Sequence, residues 1–218
     1  MCGLNDALYG GEVHPALCSV IGYGGAAFGG KTEGMLGVAL VALSEIPGVK
    51  IGWFRRTFPE LEGSDGIIER SYSLFPKIGA KYNESKHIWR MSDTENEGDD
   101  WDKGKAGALR FCHLQYEKDI YAYQSSSFDI QLWDEATHFA WMQTRYMFTR
   151  NRMSKYSQIP RAFAVMCSNP GNIGHIWYKQ IFGIKDRLKD SIENENEPIT
   201  PALPHSTPAT SPPTPTPP

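Results

Sequence analysis

A lysine and a threonine follow a glycine-rich run near the beginning of the chain. Residues 25–32 read Gly-Ala-Ala-Phe-Gly-Gly-Lys-Thr and match the phosphate-binding pattern G-x-x-x-x-G-K-[ST] at each position. In this pattern backbone N–H groups surround a polyphosphate, the lysine binds the β- and γ-phosphates, and the hydroxyl helps to bind Mg²⁺. We therefore predict a nucleotide site here, with Thr32 as a metal ligand. Its residues are Gly25, Ala26, Ala27, Phe28, Gly29, Gly30, Lys31 and Thr32.

The segments on either side of this run favour the same interpretation. Residues 17–23 are mostly apolar and predict a short buried strand, and residues 33–44 predict an apolar helix. A phosphate-binding loop needs a strand before it and a helix after it, because the helix directs the positive end of its dipole at the anion. The alternative is a glycine-rich turn that matches the pattern by chance.

Two adjacent carboxylates form a second motif about a hundred residues later. The mostly apolar segment 128–133 predicts a strand, and Asp134 and Glu135 follow it directly. In phosphoryl-transfer sites the first such carboxylate binds Mg²⁺ and the second polarises the attacking water. We therefore predict Asp134 as a metal ligand and Glu135 as a catalytic residue. The alternative is a pair of surface acids at the end of a strand.

Two further predicted strands end in polar residues. Residues 49–54 predict a strand that ends at Arg55-Arg56, which either contact phosphate or nucleic acid or are surface charges. Residues 162–167 predict a strand that ends at Ser168-Asn169. These two residues either hydrogen-bond the γ-phosphate or its water, or belong to a plain turn, since Asn-Pro-Gly favours turns.

The region between the two motifs predicts one helix and one hairpin. Apolar residues recur at near-helical spacing over residues 59–75. Residues 87–91 and 108–114 predict two short strands, and the acidic segment between them, 92–107, predicts the mobile tip of a long hairpin.

A stretch without any carboxylate follows the second motif. Residues 136–185 contain no Asp or Glu, and Trp141, Tyr146 and Tyr156 lie among their basic residues. Such a stretch predicts a surface for the DNA backbone, with ordinary surface charge as the alternative. Arg150 or Arg152 is also a catalytic candidate, since an arginine stabilises charge on a transferred phosphoryl group, in this site or a neighbouring subunit's. The basic residues are Arg145, Arg150, Arg152, Lys155, Arg161, Lys179 and Lys185.

Composition divides the chain into two parts. The sequence has 218 residues, 40% of them hydrophobic, and a net charge of -3, which argues against a uniformly basic nucleic-acid coat. No apolar run is long enough to span a bilayer, so we expect a soluble intracellular protein and no membrane partner. Residues 1–184 predict one domain. Residues 185–218 are first charged and then rich in Pro and Thr, which predicts a disordered tail.

Taken together, these motifs resemble the large terminase subunit of tailed bacteriophages, the ATPase motor that packages DNA into a prohead. The resemblance covers roughly residues 22–182. Its signatures are Gly-Gly-Ala-Ala-Phe-Gly-Gly-Lys-Thr at 24–32, Tyr-Gln-Ser…Asp-Glu-Ala-Thr-His-Phe at 123–139, and Ser-Asn-Pro-Gly-Asn-Ile-Gly-His-Ile-Trp-Tyr-Lys at 168–179. The Arg-Arg-Thr-Phe-Pro-Glu-Leu at 55–61 is similar to the family as well.

The resemblance implies an α/β, three-layer phosphate-loop NTPase with a mainly parallel central sheet, of the additional-strand Glu class. It implies ATP and Mg²⁺ as ligands, with Lys31 and Thr32 on the phosphates and metal, Asp134 on the metal and Glu135 on the water. Ser168 and Asn169 would couple hydrolysis to DNA movement. The implied partners are double-stranded DNA, the portal protein, the small terminase subunit and other copies of the chain in a ring. The implied location is the cytoplasm of the infected bacterial host, and transiently the prohead portal.

The sequence departs from the family in two respects. In the family a nuclease domain follows, whereas this sequence continues into the Pro/Thr-rich tail, so we expect no nuclease activity. Family members also have a longer segment before the loop, which contacts adenine. We therefore expect a truncated copy. The alternatives to a packaging motor are a catalytically inactive nucleotide-binding remnant and a helicase-like, DNA-stimulated ATPase.

Overall fold

The computed structural model describes residues 20–24, 30–64, 66–91 and 105–184. The strands are β1 (Val20–Gly24), β2 (Lys50–Arg55), β3 (Ala80–Asn83), β4 (Ile88–Met91), β5 (Ala108–His113), β6 (Ile130–Trp133) and β7 (Phe163–Ser168). The α-helices are α1 (Lys31–Glu45), α2 (Pro59–Glu62), α3 (Ile67–Tyr72), α4 (Trp141–Phe148) and α5 (His175–Phe182). Short 3₁₀-helices cover Phe75–Ile78, Glu117–Tyr123 and Ala136–His138.

The described strands form one sheet in the order β1-β7-β6-β2-β5-β4-β3. Strands β1, β7, β6, β2 and β5 run parallel to their neighbours, whereas β4 and β3 add an antiparallel hairpin at one edge. Strand β7 lies between β1 and β6, which is the position of the additional strand in the predicted class. The prediction of an α/β fold with a mainly parallel sheet is confirmed.

Helices cover both faces of the sheet because the central strands are apolar on both sides. In β2, Ile51 and Trp53 point into one core with α1, α2 and α3. Phe54 points into the other core with α4 and α5, and its ring stacks on Trp133 with centroids 4.6 Å apart. All four of these side chains are fully buried, and each contributes about 1.5–3 kcal/mol to folding. The result is the predicted three-layer arrangement.

The region between the motifs differs from its prediction. The single helix predicted over residues 59–75 is wrong, because the chain forms α2, α3 and the 3₁₀-helix Phe75–Ile78 instead. Gly63 leaves the helical conformation at φ -50° and ψ 158°, and Gly66 is also extended. Glycine is a poor helix former because it loses more conformational entropy than other residues on folding. Gly63 therefore ends α2, and Gly66 precedes the start of α3.

The predicted hairpin is confirmed in its strands. β4 pairs antiparallel with β5, and Ile88 lies opposite Arg110. The predicted tip falls mainly on residues 92–104, which lie outside the described residues. The sequence analysis did not predict strand β3 or helices α4 and α5. β3 has four residues and the two helices have eight each, so these segments are too short to show a clear hydrophobic periodicity.

The predicted first strand overlaps β1 from Val20 onward, and the predicted strands at 49–54, 128–133 and 162–167 correspond to β2, β6 and β7. No described helix has the length and apolar character needed to span a membrane. The predicted tail, residues 185–218, lies outside the described residues, and so do residues 25–29 of the loop.

A buried carboxylate holds the beginnings of β2 and β6 together. Asp129, fully buried, accepts hydrogen bonds from the Lys50 backbone N–H at 2.7 Å and from the Ser154 N–H and Oγ at 2.6 and 2.8 Å. A buried carboxylate is tolerated when several donors replace its hydration. Asp129 therefore fixes the strand that leads into the second motif.

We expect Asp129→Ala to lower the free energy of unfolding by about 3 kcal/mol, because it leaves buried donors without their acceptor. Urea denaturation at neutral pH measures this change. Glu117→Ala, at an exposed acid, is the matched control and should change stability by less than about 0.5 kcal/mol. Equal effects of the two substitutions would contradict the role given to Asp129.

Candidate functional site

The predicted site residues meet at the carboxyl edge of the parallel strands. Gly24, the last residue of β1, lies beside Ser168, the last residue of β7. Met166 lies beside Trp133, the residue before Asp134. Ligands of open α/β sheets bind at this edge, since the loops and helix N-termini that follow the strands converge there. The fold therefore brings the two motifs together although about a hundred residues separate them in sequence.

Lys31 is the first residue of α1. Gly30 precedes it in the left-handed conformation, at φ 67° and ψ 16°, and its carbonyl accepts the first helical hydrogen bond from Gly34 N–H at 2.8 Å. Only glycine adopts this conformation without strain, so Gly30 turns the chain into the helix. Lys31 is 9% exposed and Thr32 is half-buried. The other predicted loop residues, Gly25, Ala26, Ala27, Phe28 and Gly29, lie outside the described residues.

Cys167 connects the lysine with the two acids. This residue of β7 is buried, and its Sγ lies 3.9 Å from the Lys31 carbonyl oxygen. Burial raises the pKa of the Cys167 thiol to about 12, the Asp134 carboxylate also raises it, Lys31 lowers it and Glu135 raises it. Cys167 therefore lies between the start of α1 and the carboxyl end of β6, where its thiol responds to Lys31, Asp134 and Glu135.

Asp134 is a buried carboxylate, 3% exposed, and its Oδ2 accepts a hydrogen bond from Arg55 Nη1 at 2.5 Å. Burial raises the pKa of the Asp134 carboxyl, the Arg55 guanidinium opposes that shift, and Glu135 adds to it. Arg55, the last residue of β2, therefore supplies the positive charge that a buried carboxylate requires. Arg55 also lies 3.8 Å from Glu60.

Glu135 has a strained backbone. Its φ of 52° and ψ of 53° are in the left-handed region, which costs a residue with a side chain roughly 1–2 kcal/mol. This turn directs the half-buried carboxylate towards β7, where Glu135 Oε1 accepts a hydrogen bond from Asn169 Nδ2 at 3.1 Å. Within the described part of the chain, the buried Oδ1 of Asn169 accepts no hydrogen bond. The Asn169 amide therefore holds the Glu135 carboxylate beside the end of β7.

Ser168 is located differently from its predicted role at the γ-phosphate. It is 2% exposed, and its Oγ lies 2.7 Å from Thr137 Oγ1 and accepts the Thr137 backbone N–H at 3.1 Å. These contacts join the end of β7 to the turn that carries Glu135. Ser168 therefore acts on the site through Thr137, whereas Asn169 touches Glu135 directly.

Residues 168–179, the third signature, pack closely against the turn that carries Glu135. The Gly174 N–H donates to the Thr137 carbonyl at 2.7 Å, and a Cβ at Gly174 would lie 2.7 Å from the Thr137 and Phe139 oxygens. The Trp177 indole N–H donates to the Phe139 carbonyl at 3.0 Å. Only glycine allows this approach, so Gly174 and Trp177 attach α5 to the segment after Glu135.

The structure places Arg150 and Arg152 away from the two acids. The Phe128 N–H donates to the Arg150 carbonyl and the Arg152 N–H to the Phe128 carbonyl, so both arginines lie beside the beginning of β6. Asp134 lies six positions after Phe128, which corresponds to about 20 Å of extended chain. Arg150 donates to the Gln124 carbonyl at 2.7 Å, and Arg152 to Ser127 Oγ at 2.9 Å.

The aromatic residues of the carboxylate-free stretch contact other parts of the protein. Trp141 lies against Trp177 with ring centroids 5.8 Å apart. Tyr146 lies under the Arg150 guanidinium at 5.1 Å and against Tyr121 at 6.1 Å. These rings therefore already pack against protein groups.

The donor set fits the predicted metal. Mg²⁺ typically takes one or two carboxylates from a protein and completes its shell with water and substrate phosphates. Asp134 offers a buried carboxylate at the carboxyl edge, and Thr32 offers a hydroxyl in the first turn of α1. These two residues would hold Mg²⁺ together with a bound nucleotide.

Sequence reasoning missed how three residues act. Arg55 was assigned either to phosphate or nucleic-acid contact or to surface charge, and Thr137 and Gly174 were parts of signatures without a role. Parallel strands end at one edge of a sheet, but the sequence does not say that β2 is the neighbour of β6. No signal in the sequence gives the contacts of Thr137, since they depend on the order of the strands.

We expect Arg55→Met to destabilise the protein by about 2 kcal/mol at neutral pH, because it leaves Asp134 buried without a cation. Arg55 lowers the pKa of Asp134, so its stabilisation is present while the carboxyl is ionised and is lost as the pH falls and the carboxyl protonates. Denaturant titrations across acidic and neutral pH measure this. Arg56→Met is the control, since Arg56 donates to the neutral Gln143 amide. A pH-independent difference between the variants would contradict the pairing.

Neither protein-family models nor curated protein sequences match this chain. Several solved structures match it. The chain superposes on the large terminase of the thermophilic bacteriophage D6E with a TM-score of 0.56 and 13% identity, covering 89% of this chain and 43% of the terminase. It also superposes on the D6E terminase in complex with ADP, with a TM-score of 0.52 and 10% identity, covering 90% of this chain and 50% of that one.

The large terminase ATPase domain of Thermus phage P74-26 gives a TM-score of 0.52 and 14% identity, and the match covers 87% of this chain and 77% of that domain. The chain thus spans less than half of the first terminase and most of an isolated ATPase domain. The predicted phosphate-loop NTPase fold is confirmed, and it is the fold of the ATPase domains of phage large terminases.

Proposed function

We propose that this chain is a member of the large terminase family and hydrolyses ATP at the carboxyl edge of its sheet. The observation that carries this proposal is the Glu135–Asn169 hydrogen bond beside the buried Asp134 and the Lys31 end of α1. A strained acid, a buried acid and a lysine at a helix N-terminus are the groups that phosphoryl transfer needs. The D6E terminase, which has this fold, has been solved in complex with ADP and with ATP-gamma-S.

The roles of the residues follow from their chemistry. Lys31 and the N–H groups at the start of α1 bind the phosphates, together with the loop residues Gly25, Ala26, Ala27, Phe28, Gly29 and Gly30. Thr32 and Asp134 would hold Mg²⁺, which would supply positive charge to the phosphate oxygens. Arg55 keeps the Asp134 carboxylate at its place on the sheet edge.

Glu135 activates the attacking water. Its carboxylate accepts a proton of the water, and the Asn169 amide that donates to Glu135 Oε1 holds this carboxylate in place, so positioning adds to general-base catalysis. Asn169 is thus a positioning residue, and Ser168 supports the turn that carries Glu135 through Thr137.

The finer proposal is translocation of double-stranded DNA into a prohead. It rests on the terminase fold, and on the contacts by which Ser168, Thr137 and Gly174 connect the site to α5. In this proposal residues 1–184 are the motor domain. The partners are DNA, the portal protein, the small terminase subunit and other copies of the chain in a ring, in the host cytoplasm and at the portal.

Arg150 and Arg152 have a place in this proposal only at a neighbouring subunit's site. Both lie beside the beginning of β6, whereas Asp134 follows its end. An arginine that stabilises the transferred phosphoryl group must reach that group. Within one chain the distance is too large, so a role in catalysis requires the ring.

We expect the purified chain to hydrolyse ATP with Mg²⁺, to be stimulated by double-stranded DNA, and to lose turnover by about 100-fold or more in Glu135→Gln, since the amide does not accept a proton. A coupled phosphate-release assay measures turnover, and titration of a fluorescent ATP analogue measures binding. Lys31→Ala is the control for the loop and should lose binding itself. Nucleotide binding without turnover in the unaltered chain would support the inactive remnant.

We expect Asn169→Ala to reduce kcat by about tenfold while nucleotide affinity stays unchanged, because the hydrogen bond orients Glu135 without contacting the phosphates. Asn169→Asp is the isosteric comparison: it removes the amide donor and adds a negative charge next to Glu135, so kcat should fall at least as far. Steady-state turnover measures kcat, and titration of a fluorescent ATP analogue measures affinity. Unchanged kcat in Asn169→Ala would contradict the positioning role.

A further inference from the structure

The Arg55 guanidinium lies between two carboxylates at the carboxyl edge of the sheet. Its Nη1 donates to Asp134 Oδ2 at 2.5 Å, and its Nε lies 3.8 Å from Glu60 Oε2. The first contact is a short hydrogen bond, whereas the second is an ion pair beyond hydrogen-bond distance. Arg55 is therefore bound to Asp134 and needs to move only about 1 Å to hydrogen-bond a second carboxylate.

The Arg55 Nε is a buried donor that has no hydrogen-bond partner among the residues that the structure describes. An unpaired buried donor is unfavourable, so a move of Arg55 towards Glu60 would relieve one cost while it breaks another contact. Glu60 faces the segment after β2, since its Oε2 accepts the Thr57 N–H at 3.2 Å. The side chain of Glu60 is 36% exposed and that of Asp134 is 4% exposed, so the second carboxylate is the more hydrated one.

The helix that carries Glu60 is held in place. Leu61, the next residue of α2, is fully buried in the core that contains α1. The N–H groups of Leu61 and Glu62 donate to the Phe58 carbonyl at 2.9 and 3.2 Å. The long side chain of Arg55 is thus the part that can move between the two carboxylates, because α2 has little freedom to follow it.

Arg55 occupies a carboxylate oxygen that the metal would use. Thr32 and Asp134 are the residues that would hold Mg²⁺ with a bound nucleotide. A guanidinium and a divalent cation on one buried carboxylate repel each other, and the scarcity of water around Asp134 leaves that repulsion poorly screened. Within the described residues Glu60 is the other carboxylate at ion-pair distance from Arg55. A filled site therefore favours Arg55 on Glu60.

We propose that Arg55 binds Asp134 in the nucleotide-free chain and transfers to Glu60 when Mg²⁺ and nucleotide bind. This inference rests on the proposed function for the identity of the ligand. It makes Arg55 a positioning residue that supplies the counter-charge of Asp134 while the site is empty, and it makes Glu60 the acceptor that releases Asp134. The metal affinity of the site then depends on Glu60, a residue outside the donor set.

The test is the half-saturating Mg²⁺ concentration for binding of a fluorescent ADP analogue to the full chain, followed by anisotropy, which needs no turnover. Glu60→Gln removes the second partner, so Arg55 stays on Asp134 and the half-saturating concentration should rise by about fivefold or more. Arg55→Met removes the competing cation, so this concentration should fall by about fivefold or more. A purely structural role of the ion pair would not move the two variants in opposite directions.

Two single variants and one double variant are the controls. Glu62→Gln removes the same charge from an exposed residue of α2, and Arg56→Met removes a cation that donates to Gln143. Each should change the half-saturating concentration by less than about twofold, because exposed charges act weakly at a distance. Arg55→Met/Glu60→Gln should behave as Arg55→Met alone, because Glu60 acts only through Arg55.

The outcomes separate this proposal from the proposed function. Nucleotide binding with the same Mg²⁺ dependence in both single variants would overturn the exchange and leave the proposed function standing. An effect of Glu60→Gln that persists in the double variant, or an effect of Arg56→Met equal to that of Arg55→Met, would also overturn the exchange, because either one reduces it to net charge. Opposite shifts without any ATP turnover would support the exchange and refute the ATPase. Failure of the unaltered chain to bind nucleotide with Mg²⁺ would refute both.

Discussion

The geometry of the site depends on one ion pair between neighbouring strands. Asp134 lies almost without solvent contact at the end of β6, and Arg55 at the end of β2 supplies its counter-charge. Removing a carboxylate from water costs several kcal/mol unless a cation and hydrogen bonds compensate for it. The pair therefore fixes the relative position of two strand ends, and the turn that begins at Asp134 then sets the direction of Glu135. The strain at Glu135 is tolerated because the residues on both sides of it are held.

A second set of contacts fixes the other side of the same turn. Thr137 is bonded to Ser168, and Gly174 and Trp177 bind the carbonyls of Thr137 and Phe139. The segment that follows β7 is therefore folded against the segment that follows β6. Hydroxyl and backbone groups make this junction, so it is specific in geometry and insensitive to pH near neutrality. Asn169, the residue directly after β7, then presents its amide to Glu135.

The sequence predicted the parts of the site that depend on local patterns. The predicted strands before Lys31 and before Asp134 and Glu135 are apolar runs that are long enough to be recognised. Parallel strands place the residues that follow them at one edge of the sheet. The partner of Asp134 was not predicted, because nothing in the order of residues along the chain says that β2 is the neighbour of β6. Ser168 was assigned either to the γ-phosphate or its water or to a plain turn, because it ends a buried strand beside the loop, whereas its burial against Thr137 depends on close packing that composition does not reveal.

The hairpin β3–β4 is a second feature that depends on strand pairing and that the sequence alone does not predict. Lys81 and Arg90 are nine residues apart and unremarkable in the sequence, and β3 itself was missed. Their common face follows only from the antiparallel register. The carboxylate-free stretch is conspicuous in composition, but its basic residues lie in different parts of the structure. Arg150 and Arg152 lie beside the beginning of β6, and Lys179 lies on α5.

The position of β7 between β1 and β6 has a mechanical consequence. The strand that leads to the phosphate loop and the strand that ends at the acids share no hydrogen bonds, and each is bonded to β7 instead. Elements joined in series transmit displacement through the one in the middle, and a hydrogen-bonded strand is stiff along its length. A displacement of the Gly24 end of β1 relative to Trp133 therefore has to change the pairing of β7, whose last residue, Ser168, is hydrogen-bonded to Thr137.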